Sequence, residues 1–129
     1  IPNVETAIKW YDEIIREFPK STASEVAYKR KLWTLLGWKD PGSNGSKYGI
    51  EYSFAKYMRP LQQTFSSFEI DHPESSSLQA FRYQIAQVYW KNRYWADTRV
   101  WLNLIIEKSG NSETFYRDLA TRRLEKVEY

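Results

Sequence analysis

Residues 81–110 read FRYQIAQVYWKNRYWADTRVWLNLIIEKSG. Apolar side chains recur there at helical spacing in two runs. Phe81, Ile85, Val88 and Tyr89 form the first; Trp95, Thr98, Trp101, Leu102, Ile105 and Ile106 form the second. The polar trio Lys91, Asn92 and Arg93 divides them. This pattern predicts two amphipathic helices folded back antiparallel on a short polar turn.

Working outward, the same spacing ladder appears three times. Its rungs are Ala7, Tyr11, Ile14 and Pro19, then Leu61, Phe65, Phe68 and Pro73, then Thr98, Leu102, Ile105 and Gly110. Steps of four and three hold the first three rungs on one helix face. The last step lands on a residue that stops a helix, Pro twice and Gly once. A serine follows two places later each time, at Ser21, Ser75 and Ser112, where it is expected to cap the next helix. Ladders at all three places predict burial of Ala7, Tyr11, Ile14, Leu61, Phe65, Phe68, Thr98, Leu102 and Ile105.

With these rungs in place the chain resembles the tetratricopeptide repeat family, which pairs helices at a period of about 34 residues. Ile85, Ala86 and Tyr89 stand where that family has Leu, Gly and Tyr; Thr98, Leu102 and Gly110 stand for its Ala, aromatic and Pro. Arg82 occupies the Trp position and departs from the pattern. The Ile85-Ala86 pair returns 34 residues later as Leu119-Ala120. The ending IIREFPKS looks like a bacterial envelope subgroup, the outer-membrane barrel-assembly lipoprotein and the Tol-Pal coordinator. The resemblance covers most of the chain outside residues 37–57. It implies an all-α superhelical stack of antiparallel helix pairs, about six helices in one domain.

Composition bounds the alternatives. The 129 residues suit one domain with a real core, and 17% of them are aromatic. Basic and acidic residues, 19 and 16, are interspersed, which argues against a dedicated nucleic-acid binder. Without cysteine there is no disulfide framework and no thiolate metal site. No stretch reaches the roughly 18 apolar residues of a membrane span. The start at Ile1-Pro2 fits a processed or excised piece, and a lipid anchor could lie outside it.

In chain order, helices are expected at about 4–18, 21–37, 49–70, 75–91, 94–109 and 112–127. The first, capped by Asn3 or Thr6, faces inward with Ala7, Trp10 or Tyr11, Ile14, Ile15 and Phe18. The second buries Val26, Leu32, Trp33, Leu35 and Leu36. The last carries Phe115 or Tyr116, Leu119, Ala120 and Leu124. Residues 38–47, WKDPGSNGSK, read as an insertion loop, since Pro19 to Pro73 is 20 residues longer than one period. Lys47 does not complete a phosphate-binding motif. Pro60 is expected to kink or split the third helix.

Catalytic chemistry finds little support. His72, the single histidine, reads as an exposed turn residue, and the acids are scattered along helix faces. No metal or cofactor is expected. Trp33, Trp95 and Trp101 read as core. Arg and aromatic residues around Tyr83, Trp90, Arg93 and Tyr94 could stack on bases, but no basic cluster backs them.

The remaining reading is a non-enzymatic scaffold for a protein or peptide, in the bacterial envelope or periplasm, or else a cytosolic adaptor. By the resemblance, the first helix of each pair lines a concave groove. At about 100° per residue, Tyr83, Gln87 and Trp90 share one face. Arg30 and Thr34 are expected on one side of them, Arg117 and Thr121 on the other. Tyr and Trp supply stacking area, Gln meets a peptide backbone and Arg pairs with carboxylates. Replacing Tyr83 and Trp90 with Ala is expected to weaken partner capture and spare the melting temperature; the alternative reading is that Trp90 is core at a helix end, where the same change would unfold the chain. For the insertion, limited proteolysis should nick first between Lys39 and Lys47; an early cut within 75–109 would overturn the loop assignment.

Overall fold

Six helices account for the regular structure of the residues described by a computed structural model, 4–37 and 54–128. They are α1 (Val4–Glu17), α2 (Thr22–Leu35), α3 (Phe54–Asp71), α4 (Leu78–Lys91), α5 (Trp95–Lys108) and α6 (Phe115–Leu124). No strand occurs among the described residues, so the all-α expectation holds. The predicted insertion at 38–47, and the expected helix start at 49, lie outside them. Helices adjacent in sequence form the main packing pairs within each of two units, one ending at Ser75 and the other beginning at Ser76.

In the first unit α2 packs on both α1 and α3. The start of α2 meets the end of α3, as Ser24 to His72 and Tyr28 to Asp71 show, so this pair runs antiparallel. In the second unit α5 packs on α4 and α6. Gln79 at the start of α4 reaches the carbonyl of Ile105 near the end of α5, and Arg99 early in α5 pairs with Glu128 beyond α6. Ala86, Leu102, Ile105, Ala120 and Val127 form the core there.

The ladders meet different fates. Leu61, Phe65 and Phe68 are buried, and Thr98, Leu102 and Ile105 are fully so. Thr98 tolerates this because its hydroxyl donates to the carbonyl of Tyr94 at 2.7 Å, one turn back. Ala7, Tyr11 and Ile14 are only half-buried. Among the described residues the helix that carries them packs mainly on α2 and meets α3 through the Glu5–Lys56 ion pair at 2.9 Å, whereas α2 and α5 are each flanked by two helices. Tyr11, not Trp10, takes the inward place, since Trp10 is 64% exposed. Tyr116 likewise replaces Phe115, and Phe18 and Val26 face solvent against expectation. Ala27 and Tyr28 occupy the buried side of α2 in place of Val26. Trp33, Trp95 and Trp101 are half-buried.

Each helix that carries a ladder stops two residues before the last rung, at Glu17, Asp71 and Lys108. Ahead of Pro19 and Pro73 the reason is steric, because a residue preceding proline is driven out of the α region. Ahead of Gly110 the chain turns extended at Ser109, with ψ 131°. The left-handed positions fall elsewhere, at Lys20 (φ 62°), Gly37 (φ 92°) and Arg93 (φ 64°). Gly37 and Arg93 follow the caps of α2 and α4, where a left-handed residue closes a helix. Helix α3 runs from Phe54 to Asp71 through Pro60, so of the expected kink or split the split does not occur. Proline there removes one bond to the Lys56 carbonyl, and the turns on both sides persist.

Of the three serines, Ser21 alone caps a helix. Its side chain accepts from the backbone N–H of Ser24 at 3.0 Å. Ser75 instead donates to Glu25, and α4 begins after Ser77 without a side-chain cap. Ser112 lies three residues ahead of α6, whose cap position is Thr114, also without a side-chain bond. Ser21→Ala should therefore destabilise the chain by about 1 kcal/mol. Ser112→Ala should stay within about 0.5 kcal/mol of the parent. Urea unfolding of both variants checks this; equal losses would contradict the capping assignment.

Candidate functional site

The α4 face expected to line a groove is built from Tyr83, Gln87 and Trp90, spaced four and three apart. All three are half-buried. Helix α6 reaches this face. The rings of Tyr83 and Tyr116 lie 6.1 Å apart at 48°, and the Arg123 guanidinium sits 4.1 Å from the centroid of Trp90. A cation over an indole face is attracted by the ring quadrupole. Tyr83 and Trp90 also pack against the core of the second unit. Their joint replacement by Ala should therefore remove core contacts and lower stability, in line with the core reading of Trp90.

Three polar atoms on this face are covered yet have no hydrogen-bond partner among the described residues: Gln87 Oε1, Trp90 Nε1 and Arg123 Nε. One accepts and two donate. Leaving each unpaired costs about 1–3 kcal/mol. Water or another molecule can complete the bonding of such atoms.

Arg117 is half-buried, with Nε 3.8 Å from Asp118 Oδ1, and Thr121 is exposed, its hydroxyl donating to the Arg117 carbonyl. Arg30 and Thr34 belong to the first unit. Arg30 is exposed. Thr34 is 3% exposed and its hydroxyl donates to the Arg30 carbonyl at 2.9 Å. Back-bonding of this kind, one turn along a helix, consumes the group that was expected to face a partner. Arg123 was missed in the sequence. The stripe Tyr116, Ala120, Arg123, Val127 carries the signal, because steps of four, three and four around buried Ala120 and Val127 turn residue 123 inward.

A second polar constellation lies in the first unit. His72 is half-buried rather than exposed in a turn. Its Nε2 is 3.1 Å from Ser24 Oγ, and its ring stands 5.8 Å from those of Tyr28 and Phe68. Tyr28 donates to Asp71 Oδ2 at 2.6 Å. Asp71 thus serves the phenol, while Ser24 is fully buried and its hydroxyl is not offered to a substrate. The four side chains fasten the start of α2 to the end of α3. Among the described residues no cluster of three His, Asp or Glu could hold a metal ion, and no helix is long and apolar enough to cross a membrane.

Comparisons with protein-family models, with curated proteins and with solved structures return no match.

Burial raises the pKa of Tyr28 well above the ordinary phenol, and the bond to Asp71 adds to the effect. Tyr89 is raised as well, through burial and then the Asp97 charge. Because the folded values are raised, the unfolded chain loses these protons first. The stabilisation is complete below about pH 10 and is lost as pH rises toward the folded values. Unfolding free energy should fall above about pH 10. Tyr28→Phe should be less stable by about 1–2 kcal/mol at neutral pH, with a shallower alkaline decline. A decline as steep as the parent's would exclude Tyr28 as a source.

Proposed function

We propose that the chain is a non-enzymatic scaffold of the tetratricopeptide-like kind, and that the α4–α6 face of its second unit captures an extended peptide segment of a protein partner. The observation that carries this reading is the trio of unpaired atoms on Gln87, Trp90 and Arg123. A peptide group brings one N–H and one C=O. Its N–H suits the Gln87 amide oxygen, and its C=O suits the indole N–H. Arg123 covers the indole from above. Turning that side chain outward uncovers the indole and frees the guanidinium for a carboxylate on the incoming segment. Charge supports the choice. Helix α4 has the exposed Lys91 and no acidic residue, and α6 has Arg117, Arg122 and Arg123 against Asp118. The half-buried aromatics supply contact area with little side-chain entropy to lose.

The bacterial envelope is proposed as the setting on the resemblance alone, with a cytosolic adaptor as the alternative. The residues encoded upstream of Ile1 distinguish them: a signal peptide ending in a lipidation cysteine, or a cytosolic domain.

Selection from a displayed random-peptide library tests the site. Binders should protect the amides of 83–90 and 116–123 from hydrogen exchange. Gln87→Ala, which keeps the aromatic packing, should weaken them by about tenfold. Binders that protect other segments, or that ignore Gln87→Ala, would remove the site from this face.

A further inference from the structure

A cleft of about 240 Å³ opens in the first unit between α1, α2 and α3. Its lining charges are one of each sign. Lys31 Nζ donates to Asp12 Oδ1 at 2.6 Å, and the lysine side chain is only 17% exposed. The Asp12 side chain is 45% exposed, and the ammonium keeps two further N–H groups. Gln63 and Ser67, a helical turn apart on α3, are exposed at the same cleft. Ile15 and Pro60 add apolar surface, and Tyr28 lines it with its hydroxyl already committed to Asp71.

We propose that this cleft binds a neutral sugar ring. The argument is one of charge, pattern and size. An anionic ligand would meet Lys31 but also Asp12, and a cationic one the reverse, so the pair selects a neutral molecule. Donor and acceptor lie side by side, which is what two adjacent hydroxyls need: one oxygen accepts from Lys31 while its neighbour donates to Asp12. Gln63 offers both functions to a further hydroxyl. The C–H face of a pyranose suits Ile15 and Pro60. The volume lies below that of clefts that take drug-sized ligands, and matches a single ring. This site is separate from the peptide face, and neither reading depends on the other.

The test is a titration of the 129-residue chain, followed by amide and side-chain NMR, with methyl α-D-glucopyranoside and with maltotriose. Saturable shifts at Lys31, Gln63 and Ser67 are expected with one or both; the tighter ligand tells a free sugar from a glycan end. Lys31→Met and Gln63→Ala should each weaken binding by about tenfold. Gln63 is solvent-exposed, so Gln63→Ala keeps the assay valid even where Lys31→Met perturbs folding. Absence of saturable shifts with both sugars would overturn the proposal. So would glucuronate or glucosamine binding as tightly as the neutral glycoside, since the ion pair would then not be reading charge.

Discussion

Two alanines govern how closely the helices of the second unit approach. Ala86 on α4 and Ala120 on α6 are buried in one core with Leu102 and Ile105 of α5. Neither side chain extends beyond Cβ, so the α5 stripe can seat its larger residues against both neighbours. Close-packed interiors leave little room for added methylenes, and a larger residue at either position would force the helices apart. The two alanines lie 34 residues apart in sequence and both belong to the core that α5 enters. Tyr83, Trp90 and Tyr116 then fall at the margin of that core, half-covered.

Burial of apolar stripes is non-directional, so polar bonds must decide where each helix pair begins and ends. The α2–α3 pair is fastened by Ser24 to His72, Tyr28 to Asp71 and Ser75 to Glu25. The α4–α5 pair uses one side chain for a similar purpose. Gln79 Nε2 donates to the Ile105 carbonyl and to Ser109 Oγ, both at 3.0 Å, while its Oε1 accepts from Arg82. Arg82, at a position where the resembled family carries Trp, is 4% exposed. A buried guanidinium is tolerated only with partners, and Gln79 supplies one.

These fastenings bear on function through what they leave over. In the first unit the buried Ser, Tyr and His groups bond to one another and so hold structure. On the α4–α6 face, by contrast, an amide oxygen, an indole N–H and a guanidinium N–H stay unpaired. The proposed peptide capture would use bonding capacity of this kind, held on helices, which provide a more precise platform than loops.

Helical periodicity, the ladder steps and the helix-stopping prolines were legible in the sequence. Each depends on residues a few places apart, and among the described residues they anticipated six helices and where most of them stop, while α4 and α6 start three residues later than expected. Leu61, Phe65, Phe68, Thr98, Leu102 and Ile105 are buried because that local pattern is sound. Tertiary structure decided the rest. Ser21, Ser75 and Ser112 share one sequence position, yet only Ser21 caps, since Glu25 is within reach of Ser75 and α6 starts beyond Ser112. Ala7, Tyr11 and Ile14 repeat the ladder but sit on a helix that, among the described residues, packs mainly on α2. Thr34 turned its hydroxyl inward, His72 found Ser24 48 residues away, and Arg123 settled over Trp90. The physical reason is common to all of them. Periodicity is set by the geometry of one helix, whereas the partner of a polar side chain is set by whichever helix packs beside it.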